Sequence, residues 1–226
     1  MIQNFKDRVE NKSIRYYRHW LIGGTIIAWF AVLLQAYLAY RHIQGSRSLT
    51  ILRFFSFFTI QSNILVGIYF LARWKWPGSG IGRFFSKPGN ATAIAIYITV
   101  VGIVYNLILR ALWSPHGWQQ LADEILHVVV PILFFLFWFI FVPKDSLRWK
   151  NSLPWLIYPL CYLIYILIKG IVSMEYPYPF LDVNALGYER VFVNAGAVCL
   201  GFQTVSLLYI AIAKWTTKRS GHTVSL

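Results

Sequence analysis

FFSFFTIQSNIL, residues 54–65, decides how the chain folds. Phe54, Phe55, Phe57 and Phe58 suit a helix facing lipid, yet Thr59, Gln61, Ser62 and Asn63 arrive within five positions. At 100° per residue, Ser56, Ser62 and Asn63 fall within about 60° of Thr59, whereas Gln61 points well away. One helix face is therefore a stripe of hydroxyls and amides. In a membrane such a stripe either back-bonds to carbonyls one turn earlier and glues helices together, or walls a polar site.

The rest of the chain puts this stretch in a membrane. Of 226 residues, 58% are hydrophobic, 18% aromatic and only 13% charged, too few polar side chains to coat a water-soluble domain. Six apolar runs, at about 20–40, 53–73, 93–113, 121–142, 153–173 and 190–213, each approach the roughly 20 residues that cross a bilayer. The sequence thus predicts an all-α integral membrane protein, residues 1–226 forming one bundle of six spans without linker, repeat or low-complexity segment. The first run exceeds the apolar region of a signal peptide and lacks a small-x-small cleavage site, so it is expected to remain as a span. Cys161 and Cys199 both fall inside spans and read as small core residues.

The net charge of +13 follows topology rather than nucleic acid. With an even number of spans and the N-terminus inside, the cytoplasmic segments hold Lys6, Arg8, Lys12, Arg15 and Arg18, then Arg73, Lys75, Arg83 and Lys87, then Lys144, Arg148 and Lys150, then Lys214, Lys218 and Arg219. These are 15 of the 21 Lys and Arg. That asymmetry is the positive-inside pattern, so both termini are expected in the cytoplasm and the basic segments against phospholipid headgroups.

Alternating span direction assigns a depth to each polar residue at about 1.5 Å per residue. Thr59 and His127 then share a level roughly 9 Å below the outer face. Asn106 and Arg110, Lys169, and Arg190 with Asn194 belong to the same outer layer, while the inner half is almost entirely apolar. Polar groups at such depth are costly unless paired or hydrated, so they predict a cavity open toward the outer leaflet, although Arg110, Lys169 and Arg190 are also long enough to snorkel to headgroups. Asp123 precedes His127 by four residues, placing acid and imidazole on one face in a base-and-orienter arrangement. Asp123, Glu124 and His127 read DExxH rather than HExxH, and no set of zinc ligands converges in sequence, so neither metal nor other cofactor is expected.

Three segments carry a resemblance: FFTIQSNIL (57–65), LHVVVPILFFLFW (126–138) and YPYPFLDVNALGYERVFVN (176–194). Together they resemble the bacterial branch of the androgen-induced gene family, six-span membrane proteins that include the androgen-dependent TFPI-regulating protein of animals, over roughly residues 50–210. Members are atypical threonine hydrolases of fatty acid esters of hydroxy fatty acids. The resemblance implies a nucleophile at Thr59, a base at His127, a lipid substrate and residence in a bacterial plasma membrane.

On that reading His127 takes the Thr59 proton as the hydroxyl attacks an ester carbonyl, and water later hydrolyses the acyl-enzyme. Asp123 would orient His127, Asn63 or Asn106 would bind the oxyanion, and Arg110, Lys169, Arg190 or Asn194 would hold a substrate anion, with the acyl chain in the apolar inner half. The loop SMEYPYPFLD, 173–182, reads as an interfacial aromatic belt or as a lid, its acids Glu175 and Asp182 facing Arg110 or Arg190. Two other classes fit the polar layer: a transporter or channel for a small anionic solute, and a non-catalytic accessory protein. An inner half whose only polar residues are Gln203 and scattered Ser and Thr, and the lack of an inverted repeat, weigh against transport.

Overall fold

A computed structural model describes residues 2–43 and 46–222, with side chains from Ser13 to Ile43 and from Ser46 to Lys218. The side chains of Lys6, Arg8, Lys12 and Arg219, which entered the charge argument, lie outside that set. Among the described residues every regular element is helical. Helix α1 (Ile2–Arg41) is followed by α2 (Arg47–Ser56), α3 (Phe58–Lys75), α4 (Gly80–Ser86), α5 (Pro88–Val104), α6 (Trp118–Glu124), α7 (Val130–Phe141), α8 (Ile157–Ser173) and α9 (Val183–His222). Five stretches are long and apolar enough to cross a membrane: Ser13–Arg41, Pro88–Leu112, Trp118–Phe141, Trp149–Ser173 and Val183–Lys218. The pair α2 and α3 makes a sixth if the two are taken as one broken span.

That pair departs from expectation. A continuous helix over 53–73 is predicted, but the chain turns by 75° between α2 and α3. Phe57 is extended at φ −79°, ψ 125°, and no glycine or proline punctuates the turn. Side chains stabilise it instead. Two carbonyls freed by the break, those of Phe55 and Ser56, accept from Gln61 Nε2 and Tyr162 Oη, each at 2.8 Å. Ser56, Thr59, Ser62 and Asn63 are all buried and Gln61 is half-buried, so the polar stripe does face the bundle.

Two more irregularities sit in neighbouring spans. The chain widens into π-turns at Tyr105–Leu109, after α5, and at Ile125–Val129, between α6 and α7. Pro131 accounts for the second. Val130 N–H bonds back to Ile125 O, five residues earlier, and Pro131 has no N–H to offer. The Leu126 carbonyl therefore lacks a main-chain donor four or five residues on, and that of His127 lacks the usual one four residues on.

Away from these points packing is dense and aromatic. Tyr69 and Phe70 of α3 meet Phe134 and Phe137 of α7 edge to face at centroid separations of 5.0–5.7 Å, around fully buried Val66, Ile96, Ile98 and Trp138. Cys199 is half-buried, but Cys161 is exposed on α8, contrary to its reading as a core residue. In a bilayer that surface faces acyl chains.

Candidate active site

The break and both π-turns lie at one end of the bundle, where the segment 174–182 folds across it. Two cavities meet there. A chamber of about 510 Å³ is walled by Gln35, His42, Thr50, Arg53, Gln119, Asp123 and His127, with Tyr105 and Trp113 among its aromatic residues. A smaller apolar slot of about 90 Å³ runs between α5, α8 and α9, lined by Val100, Val104, Leu163, Ala195, Val198 and Phe202 among others. Thr59, Leu109 and Tyr178 border both.

The hydroxyl of Thr59 is set by the break. Thr25, Thr50, Thr92 and Thr204 each spend their hydroxyl on the carbonyl four residues earlier. For Thr59 that carbonyl is Phe55 O, which Gln61 occupies, and Ser56 O is held by Tyr162. The Thr59 Oγ1 is thus released from its own helix. It lies 3.4 Å from Tyr178 Oη, which also accepts from Thr59 N–H at 3.3 Å. Thr59 is the second residue of α3, at the positive end of the helix.

His127 is held on three sides. Its Nδ1 lies 2.9 Å from the carbonyl oxygen of Asp123. A carbonyl only accepts, so the proton is fixed on Nδ1 and Nε2 keeps its lone pair. The imidazole stacks on Tyr105 at 3.8 Å with an interplanar angle of 12°, and the Arg110 guanidinium lies 5.2 Å from the centre of that tyrosine ring. Two asparagines grip the π-turn itself. Asn63 Nδ2 donates to Leu126 O at 3.2 Å and Asn106 Nδ2 to His127 O at 3.4 Å, supplying donors that Pro131 withholds. Gly102 lets α5 approach this closely, since a Cβ there would lie 3.1 Å from His127 O.

Several sequence expectations change at this point. The orienting group is the Asp123 backbone carbonyl, while the Asp123 carboxylate accepts from Trp113 Nε1 at 2.7 Å and Gln119 Nε2 at 3.2 Å. Neither Asn63 nor Asn106 has an N–H left for an oxyanion, because their second bonds go to Thr59 O and Gly102 O, both at 2.8 Å. Arg110 pairs with Glu124 at 2.8 Å on the exposed surface. Lys169 is buried and donates to the Glu175 carbonyl, Asn194 donates to Phe180 O, and exposed Arg190 borders neither cavity. Glu175 pairs with Arg53 rather than with Arg110 or Arg190, and Asp182 caps the backbone at Asn184 and Ala185.

Sequence reasoning missed Arg53, Tyr105 and Tyr178. Arg53 holds Glu175 through both carboxylate oxygens, Nε at 2.7 Å and Nη2 to the other, and this pairing keeps the Glu175 carboxyl below its usual range. Together with Lys169 it pins the start of the strap 174–182. Tyr176 then packs where a Cβ on Gly170 would stand, and Tyr178, stacked on Phe180 at 5.3 Å, reaches the buried end of α3. The strap borders both cavities. Among the described residues, no three His, Cys, Asp or Glu side chains converge as metal ligands.

Compared with known proteins, the chain matches no protein-family model, and no curated protein or solved structure matches it significantly.

Proposed function

We propose that the protein is an intramembrane hydrolase of a lipid ester, such as a fatty acid ester of a hydroxy fatty acid, with Thr59 as nucleophile and His127 as base. One observation carries the proposal. Among the described residues, the one buried threonine hydroxyl released from its helix by a backbone break borders the same chamber as an imidazole whose tautomer leaves the Nε2 lone pair free.

The chemistry follows from those groups. His127 Nε2 accepts the Thr59 proton as Oγ1 bonds to the ester carbon, and the carbonyl electron pair moves onto oxygen. Collapse expels the alcohol, which takes the proton from His127. Water from the chamber then repeats the sequence on the acyl-threonine and releases the acid. The apolar slot suits the acyl chain, and the chamber suits the polar half of the ester together with water. With the basic segments inside, the site belongs to the outer half of a bacterial plasma membrane and both termini to the cytoplasm.

The test uses detergent-purified protein with a fluorophosphonate probe and a fatty-acyl ester of a hydroxy fatty acid. Wild type is expected to be labelled and to turn over, and Thr59→Ala and His127→Ala to lose both while keeping their helical circular dichroism. A wild type that neither labels nor cleaves refutes the hydrolase and favours transport of an anionic solute. Turnover that survives both substitutions refutes the assignment of residues.

A further inference from the structure

Ester hydrolysis needs a donor for the oxyanion, and both asparagines expected to provide it are committed to main-chain carbonyls. We infer that Tyr178 is a catalytic residue, its phenol donating a hydrogen bond to the oxyanion that forms on the ester attacked by Thr59. This inference rests on the hydrolase proposal and adds to it a residue from the strap between α8 and α9.

The geometry supports it in three ways. Tyr178 Oη stands 3.4 Å from Thr59 Oγ1 and 3.3 Å from Thr59 N, so it already touches the reacting atom and shares a point in space with the nucleophile's own amide. In the tetrahedral adduct the oxyanion sits on the carbon bonded to Oγ1, within reach of a donor at that distance. The phenol borders both cavities, as a group at the carbonyl must when the acyl chain lies in one and the leaving alcohol in the other. Burial also pushes the phenol above its ordinary range, which keeps the proton available for donation.

The electron count is simple. When Oγ1 bonds to carbon, the carbonyl π pair moves to oxygen, and that oxygen accepts from Tyr178 O–H and Thr59 N–H. No proton leaves the tyrosine. On collapse the pair returns to the carbonyl and the phenol regains its contact with Oγ1. In the resting state Tyr178 Oη occupies the acceptor position of the Thr59 amide, so the entering carbonyl oxygen displaces it from Thr59 N–H.

Tyr178→Phe keeps the ring that packs on Phe57 at 5.8 Å and on Phe180, and removes only the hydroxyl. The measurement compares p-nitrophenyl dodecanoate with its thionoester, whose sulfur is a poor hydrogen-bond acceptor, in wild type, Tyr178→Phe and Thr59→Ala. Loss of one oxyanion donor lowers kcat on the oxygen ester by about 10²–10³-fold with KM little changed. The thionoester slows far less, so the preference for oxygen over sulfur shrinks by a similar factor. Equal slowing of both substrates, or an oxygen ester within about threefold of wild type, overturns the role and leaves Tyr178 as a cap on α3. If the phenylalanine variant does not fold, 3-fluorotyrosine at 178 keeps the shape and strengthens the donor; a fall in oxygen preference with that residue overturns the inference. Wild-type turnover that persists in Thr59→Ala instead overturns the hydrolase proposal itself, and this inference with it.

Discussion

A double substitution at Pro131 and Asn63 probes the origin of the His127 π-turn. In a regular helix, Leu126 O would accept from Val130 N and His127 O from residue 131. Val130 bonds to Ile125 O instead, and Pro131 has nothing to donate, so Asn63 supplies Leu126 O from the neighbouring helix. In Asn63→Leu that carbonyl, on a residue only 1% exposed, loses its partner, at a cost of about 1–3 kcal/mol, with the lower end favoured by measured hydrogen bonds within membranes. The other bond lost, to Thr59 O, matters less because that carbonyl keeps its helical donor. Pro131→Ala restores an N–H and allows Val130 N to return to Leu126 O. In that background Asn63 has little left to do.

The two substitutions should therefore couple by about 1–2 kcal/mol, the double variant being more stable than additivity predicts. Unfolding by sodium dodecyl sulfate in mixed micelles measures the cycle. For a chain of this length each kcal/mol also moves the melting temperature by about 2–4 °C. Activity should move the other way. Closing the bulge by one residue turns α6 against α7 by about 100° and shifts it by about 1.5 Å, which takes His127 out of register with Tyr105 and Thr59. Pro131→Ala should lose at least tenfold in kcat/KM, since misplacement by about 1 Å already has that effect in well-fitted sites. Additivity within about 0.5 kcal/mol, or full activity in Pro131→Ala, refutes the hydrogen-bond accounting.

Two further outcomes concern the charged groups. Because Arg53 lowers the pKa of Glu175 in the folded protein, the pair's contribution is fully present above the ordinary carboxylate pKa of about 4.3 and is lost as pH falls through the lower folded value. Protection of the strap 174–182 against amide exchange, relative to the intrinsic rate at each pH, should thus fall in wild type below about pH 4, whereas Glu175→Gln should show the lower protection at every pH and no such transition. Arg110→Ala removes only an exposed, solvent-screened ion pair with Glu124 and should leave kcat/KM within about twofold. A tenfold loss would return Arg110 to the substrate site.

The sequence disclosed what depends on composition and period. Apolar length gave the helices, and the 100° rule placed Ser56, Thr59, Ser62 and Asn63 on a buried face even across a break it did not foresee. Shared depth brought Thr59 and His127 to one chamber. What escaped was set by tertiary contacts. The turn at Phe57 contains no glycine or proline, and its carbonyls are satisfied by Gln61, six residues along from Phe55, and Tyr162, 106 residues from Ser56. Asp123 and His127 do share a face, but the imidazole bonds the Asp123 carbonyl rather than its carboxylate, as His19 bonds Arg15 O in α1. Tyr178 looked like one more interfacial aromatic because nothing local distinguishes a tyrosine that turns inward. Pro131 was the usable signal: a proline inside an apolar span leaves acceptors four and five residues back without their donors, and asparagines on neighbouring spans are natural partners for them.

The same rule ties the site to the lipid around it. In water, a carbonyl released by a helix break or a π-turn is hydrated at little cost, so an irregular backbone can drift. In hydrocarbon every released group needs a protein partner, and five of those released here have a named one: Gln61 for Phe55 O, Tyr162 for Ser56 O, Asn63 for Leu126 O, Asn106 for His127 O and Tyr178 for Thr59 N–H. All five partners come from the site's own helices or strap, so the bonds that make the irregular backbone tolerable also fix where Thr59 and His127 stand. Tyr178 is the exception in kind. Its bonds to Thr59, at 3.3 and 3.4 Å, are among the longest of the set, and its acceptor role at the α3 amide can pass to another oxygen without leaving any main-chain group unsatisfied. Of the five contacts, it is the one that the carbonyl of the proposed substrate can replace, and it is also the one that touches the proposed nucleophile.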